Sequence, residues 1–251
     1  MRKRFAAVAI SASAALAAAT PVVAPPVAAT AVAGTSSSWQ VVAFYRMNEE
    51  RGTVMHDSSP NLMNGTIGSD VRLNGRFFHF PHVPHLTYRP THPSRVDSAD
   101  LNPGADTFRV TWRFRLHTDS THVFSPNFMQ KGQGWPQGGM FKFSNRRGKV
   151  SCLFRDSERQ AGVSTTNAFI DDRWHIAACT RYGGSDPRVE VQVDGKILGV
   201  KNERIGLIDN SWPLAIGGNT SCNGNQGPTP HHCNYWQGDM DWVRIERIAG
   251  N

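Results

Sequence analysis

Three histidines stand three residues apart in "HFPHVPH", namely His79, His82 and His85, and two more, His231 and His232, sit directly beside Cys233. Imidazoles this close together are the side chains of transition-metal sites. The spacing argues against one here. Residues three apart on an extended chain point to opposite faces, so the rings do not converge as they would on a helix. Pro81 and Pro84 keep the segment extended, and solvated surface histidines are the expectation.

The other reactive candidates are four cysteines, Cys152, Cys179, Cys222 and Cys233. No Cys-x-x-Cys pair is present, which speaks against a zinc site. An even count in an exported chain points to disulfides, with three connectivities open on number alone. Cys152 and Cys179 lie on runs that read as neighbouring strands of one sheet. Cys222 and Cys233 bracket "NGNQGPTPHH", a loop whose length suits a local staple. The expected pairs are therefore Cys152–Cys179 and Cys222–Cys233. No G-x-S-x-G elbow, phosphate-binding loop or dinucleotide fingerprint occurs.

Export is expected from the first residues. Met1-Arg2-Lys3-Arg4 is a cationic head, an apolar run follows from Phe5 to Ala19, and an Ala/Pro/Val-rich segment extends to Gly34. That is the layout of a secretory signal over residues 1–33, with Ala29-Thr30-Ala31 and Ala31-Val32-Ala33 as small-x-small cleavage sites. The run is shorter than the ~20 residues of a bilayer span, and no later run approaches that length. The chain carries 27 Lys+Arg against 20 Asp+Glu, net +7, and loss of Arg2, Lys3 and Arg4 with the signal lowers this by three. The remaining charge is spread out, without the basic stripe of a nucleic-acid binder.

The elements that must position these residues are strands. Short runs rich in Val, Phe, Trp, Ile and Thr recur between Gly, Asn, Asp and Pro, among them "WQVVAFYRM" (39–47), "GRFFHF" (75–80), "GGMFKFS" (138–144), "GKVSCLFRDS" (148–157) and "WPLAIGG" (212–218). In "FRVTWRFRL" (108–116) Phe108, Val110, Trp112, Phe114 and Leu116 alternate with Arg109, Thr111, Arg113 and Arg115, the pattern of a half-buried strand. In "RWHIAACTRYGGSDPRVEVQVDGK" (173–196), Trp174, Ile176 and Ala178 are expected on one face, answered by Val189, Val191 and Val193 of the next strand. Asp194-Gly195 marks a tight turn. In "GDMDWVRIERI" (238–248), Met240 and Trp242 share one face and Val243 and Ile245 the other. About ten strands with frequent turns predict one all-β antiparallel domain over residues 34–251, a two-sheet sandwich.

Four stretches, in order, resemble the laminin G-like, concanavalin A-like jelly-roll domains of bacterial secreted proteins. "FYRMNEERGTVMHDSSPNLMNGTIG" (44–68) is similar to their first-strand pattern E-x-x-G-x-x-x-x-D-S-S-G-N-x-N-x-G, with Pro60 where the family usually has Gly. "FMQKG" (128–132) is similar to their Q-K-G, "WHIAACTRYGGSDPRVEVQVDG" to W-H-x-V-x-x-x-R … V-D-G, and "GDMDWVRIER" (238–247) to the closing strand. The resemblance implies a jelly roll, a structural role for His175, and a calcium ion held by oxygens at the positions of Glu49, Asp57 and Asp241.

The resemblance also raises glycoside hydrolysis and polysaccharide cleavage. The hydrolases place paired carboxylates on an E-x-D-x-x-E strand. "DMDWVR" (239–244) offers Asp239 and Asp241 on one face, but Arg244 stands where the second Glu belongs. The Tyr/His/Arg set of the lyases does not appear as a motif. Catalysis is not expected, and fold alone does not restore it. Binding remains, to a glycan, an extracellular protein or a cell-envelope ligand, by a secreted monomer that is released or wall-associated, with a structural or protein-interaction domain as the alternative. Loop aromatics are the expected sugar platforms. These are Trp135 between Gly134 and Pro136, Trp212, and Tyr235-Trp236, with Asn223 and Gln226 as hydrogen-bonding partners. For Trp212 and Trp236, packing at the edge of the core is the favoured role.

Overall fold

Every second side chain of residues 107–115 is buried, from Phe108 through Val110 and Trp112 to Phe114, while the arginines between them stay partly accessible. That strand is the centre of the structure. The computed structural model describes residues 38–83, 89–118, 126–133, 138–219 and 233–248. The predicted signal, Trp135, Cys222, Asn223, Gln226, His85, His231 and His232 lie outside the described residues.

The strands follow in the order β1 (Gln40–Tyr45), β2 (Val54–Met55), β3 (Gly65–Thr66), β4 (Arg72–Leu73), β5 (Phe78–Phe80), β6 (Ser94–Val96) and β7 (Thr107–Arg115). Then come β8 (Asn127–Gly132), β9 (Met140–Arg146), β10 (Lys149–Arg155), β11 (Gln160–Ser164) and β12 (Trp174–Tyr182). The last are β13 (Arg188–Val193), β14 (Lys196–Lys201), β15 (Leu214–Ile216) and β16 (Gly238–Ile248). The predicted strands are present. The short β2, β3, β4 and β6 are too brief for a two-residue period to reveal them.

Two antiparallel sheets form a sandwich. The first runs β14-β13-β12-β7-β16-β5-β4, with β1 also paired to β16; the second runs β11-β10-β9-β8-β15-β6-β3-β2. Aromatic rings fill the space between them. Trp112 of β7 stacks on Phe143 of β9 at 5.5 Å and meets Phe128 of β8 at 5.3 Å, and Phe108 packs against Phe141 at 5.5 Å.

Cys152 and Cys179 are bonded as predicted, with Cα atoms 5.6 Å apart. Their placement differs from the expectation. Cys152 is on β10 of the second sheet and Cys179 on β12 of the first, so the bond crosses the core and ties the sheets together. Cys233 is also disulfide-bonded, and its expected partner is outside the described residues.

Two face assignments are corrected. On β12 it is His175, Ala177, Cys179 and Arg181 that point inward; Val193 opposes Ala177 and Val191 opposes Cys179, while Ile176 is exposed. On β16 the register shifts between Met240 and Trp242, so Met240, Val243 and Ile245 all reach the core. An extra residue in one strand reverses the alternation beyond it.

Candidate functional site

Four strand registers draw five side chains into one row on the outer face of the first sheet. Trp174 of β12 opposes Arg115 of β7, which opposes Asp239 of β16; Asp239 opposes His79 of β5, and His79 opposes Arg72 of β4. Directly opposed residues of antiparallel strands share a face. His117 continues the alternation past Arg115, because the intervening Leu116 is wholly buried.

Asp239 is the hub. It is 1% exposed, and so buried a carboxylate requires compensating partners. His79 Nδ1 lies 2.7 Å from Oδ1. Oδ2 accepts from Arg115 Nε at 2.9 Å, with a second guanidinium nitrogen also donating, and lies 3.0 Å from His117 Nε2. Burial works against the charged carboxylate, but the bonds from His79 and Arg115 and the nearby positive charge outweigh it and hold Asp239 below its usual pKa. His117 is oriented from behind: its Nδ1 lies 3.2 Å from Asp172 Oδ1, and the Thr118 hydroxyl donates to Asp172 Oδ2 at 2.7 Å.

Beside this row is an open depression of about 420 Å3 lined by Arg72, Asn74, Phe77, His79, Arg115 and His117, among others. Phe77 and Trp174 meet edge to face at 5.4 Å. The Arg115 guanidinium sits 4.8 Å from the Trp174 ring centre and 5.4 Å from that of Phe77, so cation–π attraction holds it in place. The arrangement presents an aromatic surface, several hydrogen-bond donors and a carboxylate flanked by imidazoles.

The predicted metal and ligand residues are placed as follows. Asp57 is buried, and its carboxylate organises the first loop. Oδ1 accepts from Phe44 N and Ser59 N, and Oδ2 from the Ser59 hydroxyl and Met63 N. Asp241 pairs with Arg113. Glu49 Oε1 accepts from His56 N at 2.8 Å, and its Oε2 is buried without a partner among the described residues. Trp236 is wholly buried against Phe80 and Phe128, so it offers no face to a ligand; the core took it, as its size favours. Tyr235 is also buried, and its hydroxyl accepts from Arg89 N. His92 packs against the rings of Phe80 and Tyr235, donates from Nε2 to the Trp236 carbonyl at 2.9 Å, and is pushed down to about pKa 4 by burial. Trp212 is half-buried, and its carbonyl accepts from the buried Lys131.

The row escaped sequence reasoning except in fragments. Arg115 was legible from the alternation of β7, and extending it by two residues reaches His117. His79 and Asp239 were both visible as candidates, yet they are 160 positions apart, and only the β5–β16 register joins them.

No protein-family model matches the chain, and no curated protein does. Solved structures are similar in fold. The binding domain of Paraclostridial Mosquitocidal Protein 1 aligns with a TM-score of 0.56 at 14% identity, over 83% of this chain and 48% of that one. The botulinum neurotoxin serotype G binding domain gives 0.58 at 11% identity, over 84% and 48%. A botulinum neurotoxin type G receptor binding domain gives 0.55 at 10% identity, over 83% and 47%. The chain thus spans about half the length of each neighbour. At these identities the likeness is one of fold, a β-sandwich shared with binding domains. Among the described residues no helix is long and apolar enough to cross a membrane.

Proposed function

We propose that the protein is a secreted binding module of the laminin G-like, concanavalin A-like jelly-roll kind that takes carbohydrate in the depression beside Phe77. The observation that carries this reading is the meeting of an aromatic surface with convergent polar groups in one open hollow: Phe77 next to Arg72, Asn74, Arg115 and two histidines. A sugar's apolar face stacks on an aromatic ring while its hydroxyls take hydrogen bonds from polar neighbours. The fold shared with domains described as binding or receptor-binding supports a binding role, and the disulfide across the core suits an oxidising, extracellular setting. Trp135 remains a second platform candidate.

A second reading, polysaccharide cleavage, is favoured by one observation: a buried carboxylate, Asp239, orients a half-buried imidazole, His79, in the same hollow. One experiment separates the two. Wild type, Phe77→Ala and Trp135→Ala are applied to an array of neutral and acidic glycans, and the solutions are assayed for reducing ends and unsaturated uronides. Binding without release, weakened roughly two- to tenfold by Phe77→Ala, is expected, since stacking on one ring is worth roughly 0.5–1.5 kcal/mol. Equal binding by wild type and Phe77→Ala removes the depression from the site, and product release from wild type replaces binding with catalysis.

A further inference from the structure

We propose that His79, His117 and Asp239 hold a divalent transition-metal ion of the zinc class on the outer face of the first sheet. Each residue offers one ligand atom, and the three atoms lie within 4.8 Å of one another. A tetrahedral ion bonded at ~2.0–2.2 Å keeps its ligand atoms roughly 3.3–3.6 Å apart. His79 Nδ1 lies 2.7 Å from Asp239 Oδ1 and His117 Nε2 3.0 Å from Oδ2, hydrogen-bond distances, so seating the ion moves the ligand atoms apart by roughly 0.3–0.9 Å. The ion takes the place of the protons now shared between the rings and the carboxylate.

The supporting shell is that of a metal site rather than of a simple ion pair. His117 turns its other ring nitrogen to Asp172, which Thr118 fixes in turn. Carboxylate–histidine–metal chains of this kind set the tautomer and aim the ring. Asp239 Oδ2 is engaged by Arg115 as well as by His117, whereas Oδ1 meets His79, so Oδ1 is the oxygen assigned to the ion and His117 turns to it from Oδ2. His79 on β5 and Asp239 on β16 are fixed against each other by their pairing register, and His117 follows just beyond the end of β7, whose Arg115 opposes Asp239. The opposing charges are Arg115, which faces the carboxylate from the Oδ2 side, and Arg72, which stands opposite His79 on β4.

The donor set decides the kind of ion. Two imidazoles and one carboxylate suit zinc and its first-row neighbours, whereas calcium takes an all-oxygen shell. Three protein ligands beside an open hollow leave coordination positions for an exogenous oxygen, unlike the closed shell of a structural zinc. The site stands independently of the carbohydrate reading.

The test uses the full, disulfide-bonded chain after chelator treatment, titrated calorimetrically with zinc chloride and separately with calcium chloride. The series comprises wild type, His79→Ala, His117→Ala and Asp172→Asn, with His82→Ala as a surface control; thermal melts confirm that each folds. Zinc is expected to bind wild type and His82→Ala alike. Each ligand-histidine variant should weaken it at least tenfold, and Asp172→Asn by about tenfold. Cobalt(II) added to wild type should give a visible absorption band that both histidine variants lose. Absence of zinc binding by wild type, or a loss below tenfold in either folded histidine variant, overturns the assignment.

Discussion

His175 shows how a residue with chemical potential becomes structural. It is buried at the start of β12 between the rings of Phe114 and Phe169, with Nδ1 2.7 Å from Asp194 Oδ2 and Nε2 3.0 Å from Asp171 Oδ1. Burial disfavours its charge, but the bonds to Asp194 and Asp171 prevail and raise its pKa above the ordinary 6.5. A raised folded value means that the contribution to stability is fully present below the unfolded pKa and fades as pH rises through the folded one. Both carboxylates are partly exposed, so the pH-dependent part is expected to stay below about 1 kcal/mol. Melting temperatures of wild type and His175→Gln, followed from about pH 5.5 to 9, should differ most at the acid end and converge as the pH rises through the imidazole range. A constant gap would mean that the ring contributes only packing. Asp171, held below its usual pKa by His175 against the opposing effect of burial, loses its own contribution only as pH falls through that lowered value.

At the scale of elements, turns and bulges decide which residues meet. Asp194 and Gly195 both adopt left-handed backbone, with φ of 51° and 75°, which closes the β13–β14 hairpin in two residues. Asp194 also accepts from Ile176 N at 2.9 Å, so one turn residue ties three strands. A Cβ added at Gly195 would meet nothing within 4 Å. Any loss in Gly195→Ala therefore comes from backbone conformation, and we expect about 1–2 kcal/mol in chemical denaturation. An unchanged midpoint would show that the turn tolerates a side chain there. The bulge in β16 has the opposite kind of influence. It brings both Met240 and Val243 to the core, while Asp239 and Asp241 still reach the arginines of β7. The Asp-Gly turn was legible because only a few residue types accept positive φ. A bulge has no such signature, and the faces of β16 could not be read through it.

At the scale of the molecule, the two sheets are held by an aromatic core and, among the described residues, by one covalent tie. Cys152 and Cys179 are 27 residues apart, and closing a loop of that length restricts the unfolded chain by about 3.5 kcal/mol. The double variant Cys152→Ala, Cys179→Ala should lower the free energy of unfolding in urea by roughly that amount while the sandwich still forms, because the aromatic packing is untouched. A loss near zero would place the bond's effect outside the unfolded ensemble. The outer face of the first sheet lies opposite this core. Its charges are organised as ladders, Arg109 and Arg244 on Glu246, Arg113 on Asp241, and Arg115 on Asp239, with the depression at one end.

Local composition by itself determined the class of this protein. Alternating apolar runs separated by turn residues have one economical solution, layered antiparallel sheets, and the placement of Cys152 and Cys179 on strand runs anticipated their bond, though not that it joins two sheets. These properties depend on neighbours within a strand or a turn. The site depends on register between strands far apart in the chain. His79, His117 and Asp239 approach one another only because β5, β7 and β16 lie side by side in one alignment, and a slip of one residue would turn any of them to the other face. The size of Trp236 favours packing against the core, but the sequence could not foretell that Phe77 would be left at the edge of a hollow. Burial of a large ring is settled by the volume left between two sheets, and that volume exists only once they have packed.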